Sequence, residues 1–270
     1  DRTKFVATKN MYKNTVVLAF SLLMGIILDK FTQSGYELYG FMILFSIVFL
    51  IAFIDIVIRI FTYKPPIKEE KITVKDTIKI PATDKNFKRI LIICGVNRFA
   101  NGIGIMYLNV FLLRYLNISY FYYSILNIII NLSEAISSKF WAKRANNRNW
   151  KAILLPMCMI YIICFLNLFM ISNEILKYIL PIIYILLGIG NGSYEIFDNV
   201  AIYEAAKDKL QTSYVTFERF IEGIVTATLP ILSYTILCEN NNIIKITFGI
   251  SVLSYLVLGI IIKKEKLNLN

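Results

Sequence analysis

The sequence predicts an all-α membrane protein, a polytopic bundle of eight transmembrane helices. Three observations predict it. Hydrophobic residues make up 57% of the 270 positions, with a mean hydropathy of +0.62. They gather into eight apolar segments, most of them within the roughly 17 to 25 residues that cross a hydrocarbon core. Lysine and arginine fall in every second connection, 23 of them on one side of that alternation against four on the other. By the positive-inside rule this places both ends of the chain in the cytoplasm, with an even number of spans between them.

The segments run Phe5 to Leu28, Tyr39 to Phe61, Ile90 to Leu113, Tyr120 to Ser138, Ala152 to Ile171, Tyr178 to Ala201, Phe220 to Cys238 and Ile243 to Ile262. The first carries Lys9 and Lys13, which leave Asn14 to Leu28 uncharged and whose long stems can snorkel to the headgroups. The second ends with Asp55 and Arg59, four apart, which suits a local ion pair. Between the second and third lies the longest polar stretch, Lys64 to Arg89, with Pro65, Pro66, Pro81 and dense charge of both signs, the composition of a cytoplasmic linker. All other connections are short, so successive helices are antiparallel neighbours. The domain organisation expected is two helices in residues 1–63, a linker in 64–88 and a six-helix bundle in 89–270.

Composition narrows the function. A net charge of +11 is the topology signal and an attraction to anionic lipid rather than a nucleic-acid footprint. The absence of histidine removes imidazole proton relays and most zinc sites. Cys94, Cys158, Cys164 and Cys238 lack metal-ligand spacing and read as small packing residues. Gly188, Gly190 and Gly192 lie within a span with no preceding strand, so they suit close helix packing or a hinge rather than a nucleotide loop. No cofactor motif and no ATP-binding motif is present. A membrane-embedded enzyme would need a compact catalytic set, and the carboxylates here are dispersed over several helices.

An even-numbered bundle with one long cytoplasmic linker has the form of a secondary transporter. The run from Ala7-Thr-Lys-Asn-Met-Tyr-Lys-Asn to Leu23-Met-Gly-Ile-Ile-Leu-Asp-Lys30 resembles the fifth helix of major facilitator superfamily (MFS) transporters. The second span and the linker resemble the sixth helix and central loop of that family. The six later segments resemble helices 7 to 12, including Leu187-Gly-Ile-Gly-Asn-Gly-Ser-Tyr194 on the tenth and Thr212-Ser-Tyr-Val-Thr-Phe-Glu-Arg219 before the eleventh. The family's loop signature G-x-L-x-D-R-x-G-R-K corresponds here to Trp141 to Lys151, with Asn146 at the aspartate and Asn149 at a glycine. The resemblance implies a fragment of a twelve-helix fold, whose first four helices are missing partners, in a bacterial cytoplasmic membrane.

Apart from Lys9, Lys13 and Lys245 near segment ends, seven charged residues fall inside the spans: Asp55, Arg59, Arg98, Glu134, Glu195, Asp198 and Glu222. Each costs about 2.5 to 3.5 kcal/mol at a helix centre, so they are expected to face protein or a water-filled cavity. Helical spacing groups them with neutral polar residues. Tyr123, Asn127, Asn131, Glu134 and Ser138 form one stripe, and Gly188, Asn191, Glu195 and Asp198 another. Arg219, Glu222, Thr226, Pro230 and Ser233 form a third, and Arg98, Asn101 and Asn109 a fourth. The candidate substrate-binding or coupling set is Arg98, Asn101, Asn127, Asn131, Glu134, Asn191, Glu195, Asp198 and Glu222. Pairing of Arg98 with Glu134 or Glu195 to lock the cytoplasmic side, direct contact with substrate, and proton uptake by Glu134 or Glu195 all remain open at this stage. The resulting expectation is a secondary transporter that moves a small organic solute by alternating access, with protons as candidate coupling ions. The alternative is a non-transporting membrane receptor or scaffold.

Overall fold

A computed structural model of the chain describes residues 2–61, 74–145, 150–171, 173–206, 211–236 and 241–264. The described residues are helical almost throughout, with no strand. Such a chain satisfies its backbone amides and carbonyls internally, as a bilayer demands. In order the helices are α1 (Arg2–Gln33), α2 (Glu37–Phe61), α3 (Val74–Thr83), α4 (Lys85–Val110), α5 (Tyr120–Ala145), α6 (Lys151–Met170), α7 (Asn173–Ala205), α8 (Gln211–Ile236) and α9 (Asn241–Lys264). A π-turn, Phe111–Tyr115, follows α4 and closes with Leu116 N–H donating to Phe111 C=O at 2.9 Å.

Each of the eight apolar segments lies on its own helix, and most of these helices continue past the segment with polar turns at their ends. Cys238 lies outside the described residues. Among the described residues, six helices are long and apolar enough to span a membrane. The other two, α5 and α8, have the same length of 26 residues and are less apolar because they carry Asn127, Asn131 and Glu134 on one, Arg219 and Glu222 on the other. Within the linker the structure adds α3, which the proline and charge content had concealed. Its partner is α8, against which it packs, and tertiary contact rather than intrinsic propensity sustains a helix this short. Linker residues 62–73 lie outside the described set, as do Asn146 and Asn149 of the loop signature.

The chain forms two compact units. The first comprises residues 1–71 and 118–128. Here α1 turns into α2 through Gly35 at φ +76°, a left-handed position that lacks a steric penalty only for glycine, with Tyr36 N–H donating to Phe31 C=O at 2.9 Å. The start of α5 belongs to this unit and is fastened to α1. Asp29 accepts from Tyr120 N–H at 2.7 Å and Phe121 N–H at 2.9 Å, satisfying two amides that have no intrahelical partner. Gly25 lets the helices approach, since a Cβ there would lie 2.6 Å from Ser124 Oγ.

The second unit comprises residues 72–117 and 129–270. Its core lies where α6, α9 and α4 meet, and it is built from aromatic rings. Tyr161 stacks on Tyr255 at 4.7 Å between centroids, Phe165 stacks on Phe248 and Tyr255, and Phe111 meets Phe248 edge-on at 5.6 Å. Gly104 stands opposite Phe165, where any side chain would collide with the ring. The entry to α4 is capped by Asp84, whose Oδ1 accepts from the backbone N–H of Asn86 and Phe87. Oδ2 of the same residue accepts from the Tyr214 hydroxyl on α8 at 2.9 Å, and the rings of Phe87 and Tyr214 meet edge-on at 4.6 Å.

Candidate functional site

Two polar clusters form within the second unit, and they divide the residues that the sequence singles out. The first joins α4, α7 and α8. Arg98 Nε lies 2.7 Å from Glu222 Oε1, and its Nη2 lies 3.9 Å from Asp198 Oδ2. Its guanidinium rests 5.2 Å from the centroid of the Tyr194 ring, a cation–π arrangement. Arg219 completes the network. It donates through Nη2 to Asp198 Oδ2 at 2.9 Å and through Nη1 to Glu222 Oε2 at 2.5 Å, and its Nε lies 3.3 Å from Glu218 Oε2. Asp198 is buried and also accepts from the Tyr194 hydroxyl at 3.4 Å and the Cys94 thiol at 3.9 Å.

Local sequence explains this convergence. Tyr194 and Asp198 are four apart on α7, as are Cys94 and Arg98 on α4, so each pair presents to one face of its helix. Arg219 and Glu222, three apart, do the same on α8. Because α4 packs against both α7 and α8, the pairs meet. The partners of Arg98 are therefore Glu222 and Asp198, not the Glu134 or Glu195 that the sequence suggested. The Cys94 thiol and the Asp198 and Glu218 carboxylates lie within 4.8 Å of one another, but the cation seated on this group is the Arg219 guanidinium.

The second cluster joins α5, α6 and α7. Glu134 of α5 faces Asn191 and Glu195 of α7. Asn191 Oδ1 in turn accepts from the Tyr161 hydroxyl at 2.5 Å. Close backbone approach makes this possible. A Cβ on Gly188 would collide with Ile130 C=O and Ser133, and one on Gly192 would stand 2.7 Å from Ser137 Oγ and 3.0 Å from Glu134 C=O. The helix-packing reading of these glycines describes what they do. The remaining three candidate residues are Asn101, Asn127 and Asn131. Asn127 donates to Tyr123 C=O of its own helix at 2.9 Å, Asn131 is exposed, and the Asn101 Oδ1 is buried without a hydrogen-bond donor.

Asp55 and Arg59 form the expected local pair at 2.7 Å, exposed and remote in sequence from either cluster. Ser233, assigned to the stripe of α8, lies outside the residues whose side chains are described. Sequence reasoning did not select Glu218, Tyr194, Tyr161 or Cys94. The available signal for Tyr194 and Cys94 was their i, i+4 relation to Asp198 and Arg98. Glu218 sits just before the apolar run that begins at Phe220, where hydropathy registers only a helix end.

The arrangement is one of charges held inside apolar helices, with Arg98 of α4 and Arg219 of α8 both set on Asp198 of α7 and Arg219 also paired with Glu218 and Glu222 of its own helix. The family model described as the Major Facilitator Superfamily matches residues 1–230. No curated protein and no solved structure matches the chain. With most of its length matched and several membrane-spanning helices, the chain belongs to the Major Facilitator Superfamily, whose members are integral membrane transporters of small molecules.

Proposed function

We propose that this chain is part of a secondary active transporter that moves a small organic solute by alternating access, with protons as the coupling ion. In this reading it resides in a bacterial cytoplasmic membrane with both its ends in the cytoplasm. Residues 89–270 act as the C-terminal bundle, and residues 1–63 belong to the other one. The α4–α7–α8 network holds the cytoplasmic half together in one state, and the Glu134–Asn191–Glu195 cluster faces solute in another.

The observation that carries this reading is the sharing of Arg98 and Arg219 among carboxylates from two other helices and their own surroundings. Ion pairs between helices have two discrete states, made and broken, and so can follow a rocking motion. Each costs desolvation that a purely structural bundle avoids with apolar residues. The second reading, a non-transporting receptor or scaffold, has its own support in the closed pairing of that network. Against it stands Glu195, a carboxylate that faces Glu134 and remains exposed on the spanning helix α7.

The test is substrate-screened uptake into proteoliposomes by wild type, Arg98→Ala and Glu134→Gln under an imposed pH gradient. Uptake that follows the gradient and is lost in both variants supports a proton-coupled carrier with its working parts on α4 and α5. If well-folded wild-type protein moves none of the solutes screened, the receptor or scaffold reading takes its place.

A further inference from the structure

The network of α4, α7 and α8 contains three carboxylates, Asp198, Glu218 and Glu222, and two guanidiniums, Arg98 and Arg219. One negative charge is left over, and the geometry indicates where it falls. Glu222 has Arg98 on one oxygen and Arg219 on the other. Asp198 has both arginines together with the Tyr194 hydroxyl and the Cys94 thiol. Among the described residues, Glu218 has only the Nε of Arg219 at 3.3 Å, and neither of its carboxylate oxygens has a hydrogen-bond partner, although the side chain is 1% exposed.

A carboxylate enclosed without donors is costly, and a buried site resolves that cost by neutralising the group. Either a metal cation or a proton could do so. Space distinguishes them. The cavity beside Glu218, lined also by Cys94, Gly95, Arg98 and Glu222, measures about 10 Å³. That is roughly one water. Hard cations need about six oxygen ligands, whereas the neighbouring atoms here are a thiol and carboxylates already engaged by guanidinium. A proton needs no room. Among the described residues, Cys94 and Arg98 face Glu218 from α4, Asp198 from α7, and Arg219 and Glu222 from its own helix, while Lys79 of α3 is solvent-exposed.

We infer that Glu218 holds one exchangeable proton within this network and is the group through which proton binding is coupled to movement of the helices. Addition of H⁺ to the carboxylate gives the neutral acid, so the remaining two carboxylates balance the two guanidiniums. Loss of H⁺ leaves Glu218 competing with Asp198 and Glu222 for Arg219, which biases the α7–α8 contact toward opening. The coupling half of this inference rests on the transport reading above. The protonation half does not.

Infrared difference spectroscopy of the purified full-length protein, recorded between acidic and alkaline buffers in H₂O and D₂O, reads the carbonyl band of a protonated carboxyl. The expected result is a band that titrates in wild type, shifts in D₂O, is lost in Glu218→Gln and persists in Glu222→Gln. If Glu218→Gln does not fold, Glu218→Asp keeps the carboxyl and is expected to retain the band with a displaced midpoint. A wild type with no titrating band, or a band that survives unchanged in Glu218→Gln, overturns the assignment. So does sodium-specific thermal stabilisation in the absence of a titrating band, which would make the ligand a metal cation. Proteoliposomes separate the two halves. Glu218→Gln is expected to keep solute exchange and lose acceleration by a pH gradient, and acceleration equal to that of wild type overturns the coupling role. A titrating Glu218 in a protein that moves no solute overturns the transport reading and leaves the proton assignment standing.

Discussion

Asp198 is the residue through which the charges of α4, α7 and α8 communicate. It is 5% exposed and has a guanidinium from each of the two neighbouring helices. Its carboxylate is the one that both guanidiniums share, and taking one partner out of a buried ion pair costs about 3 to 5 kcal/mol. Asp198→Asn is therefore expected to lower thermal stability in detergent by about that much. Glu222→Gln should cost less, because the Glu222 side chain is 19% exposed and water takes part of the load. Equal losses in the two variants would contradict this ranking of the carboxylates. The inward placement of Arg98, Asp198 and Glu222 was legible in the sequence because periodicity assigns each to a helix face. Their pairing was not, since a stripe gives a direction on one helix and says nothing about which stripe it meets. Glu218 was hidden for a related reason, being one residue before Arg219 and outside the apolar run.

At the scale of elements, two kinds of contact hold the helices in register. One is backbone approach at glycines. Gly188 and Gly192, one turn apart on α7, place their Cα atoms against the backbone of α5, so that an added methyl meets carbonyl oxygens that cannot rotate away. Gly188→Ala is expected to destabilise the protein by about 1 to 3 kcal/mol, as overpacking does. Gly223 on α8 has nothing within 4 Å, so Gly223→Ala should be neutral or stabilising by roughly 0.4 to 1 kcal/mol. Thermal unfolding of the two alanine variants side by side checks the contrast, which fails if both shift in the same direction. The other contact is the corner where Asp84 caps α4 and holds Tyr214. Burial and the hydrogen bond to Asp84 push the Tyr214 phenol up to about 12. This is above the roughly 10 of a free tyrosine, so the contribution is fully present below about pH 10 and is lost as pH rises through the folded value. Tyr214→Phe is expected to cost about 1.5 to 3 kcal/mol, the range for a hydrogen bond to a charged group, read by the same unfolding measurement. Helix existence was legible from hydropathy. The cap at Asp84 and the short helix α3 before it were obscured by a proline-containing, highly charged stretch whose helix forms against α8.

For the whole molecule, the distribution of basic residues is the strongest constraint, and it makes a prediction independent of any side-chain contact. The connection between α4 and α5 holds Arg114 and Asn117, whereas the end of α5, the connection after it and the start of α6 hold Lys139, Lys143, Arg144, Arg148 and Lys151. If lysine and arginine are retained in the cytoplasm, these two connections lie on opposite sides of the membrane, because one helix separates them. Asn117, at φ +48° just beyond the π-turn, and Arg144, at the exposed end of α5, are suitable reporters, since neither side chain is part of the core. In a background with Cys94, Cys158, Cys164 and Cys238 replaced, Asn117→Cys should react with a membrane-impermeant thiol reagent in intact cells. Arg144→Cys should react only after permeabilisation. The reverse pattern would place both ends of the chain outside and turn the α4–α7–α8 network toward the external face. Labelling of both positions in intact cells would mean that α5, the less apolar of the helices for the sake of its polar stripe, does not span the membrane at all. The cost of placing Glu134 in the membrane is then decisive, because Gly188 and Gly192 bring α7 against α5 at that point and Asn191 and Glu195 face the carboxylate. The same contact that builds the second polar cluster is thus what keeps the topology intact.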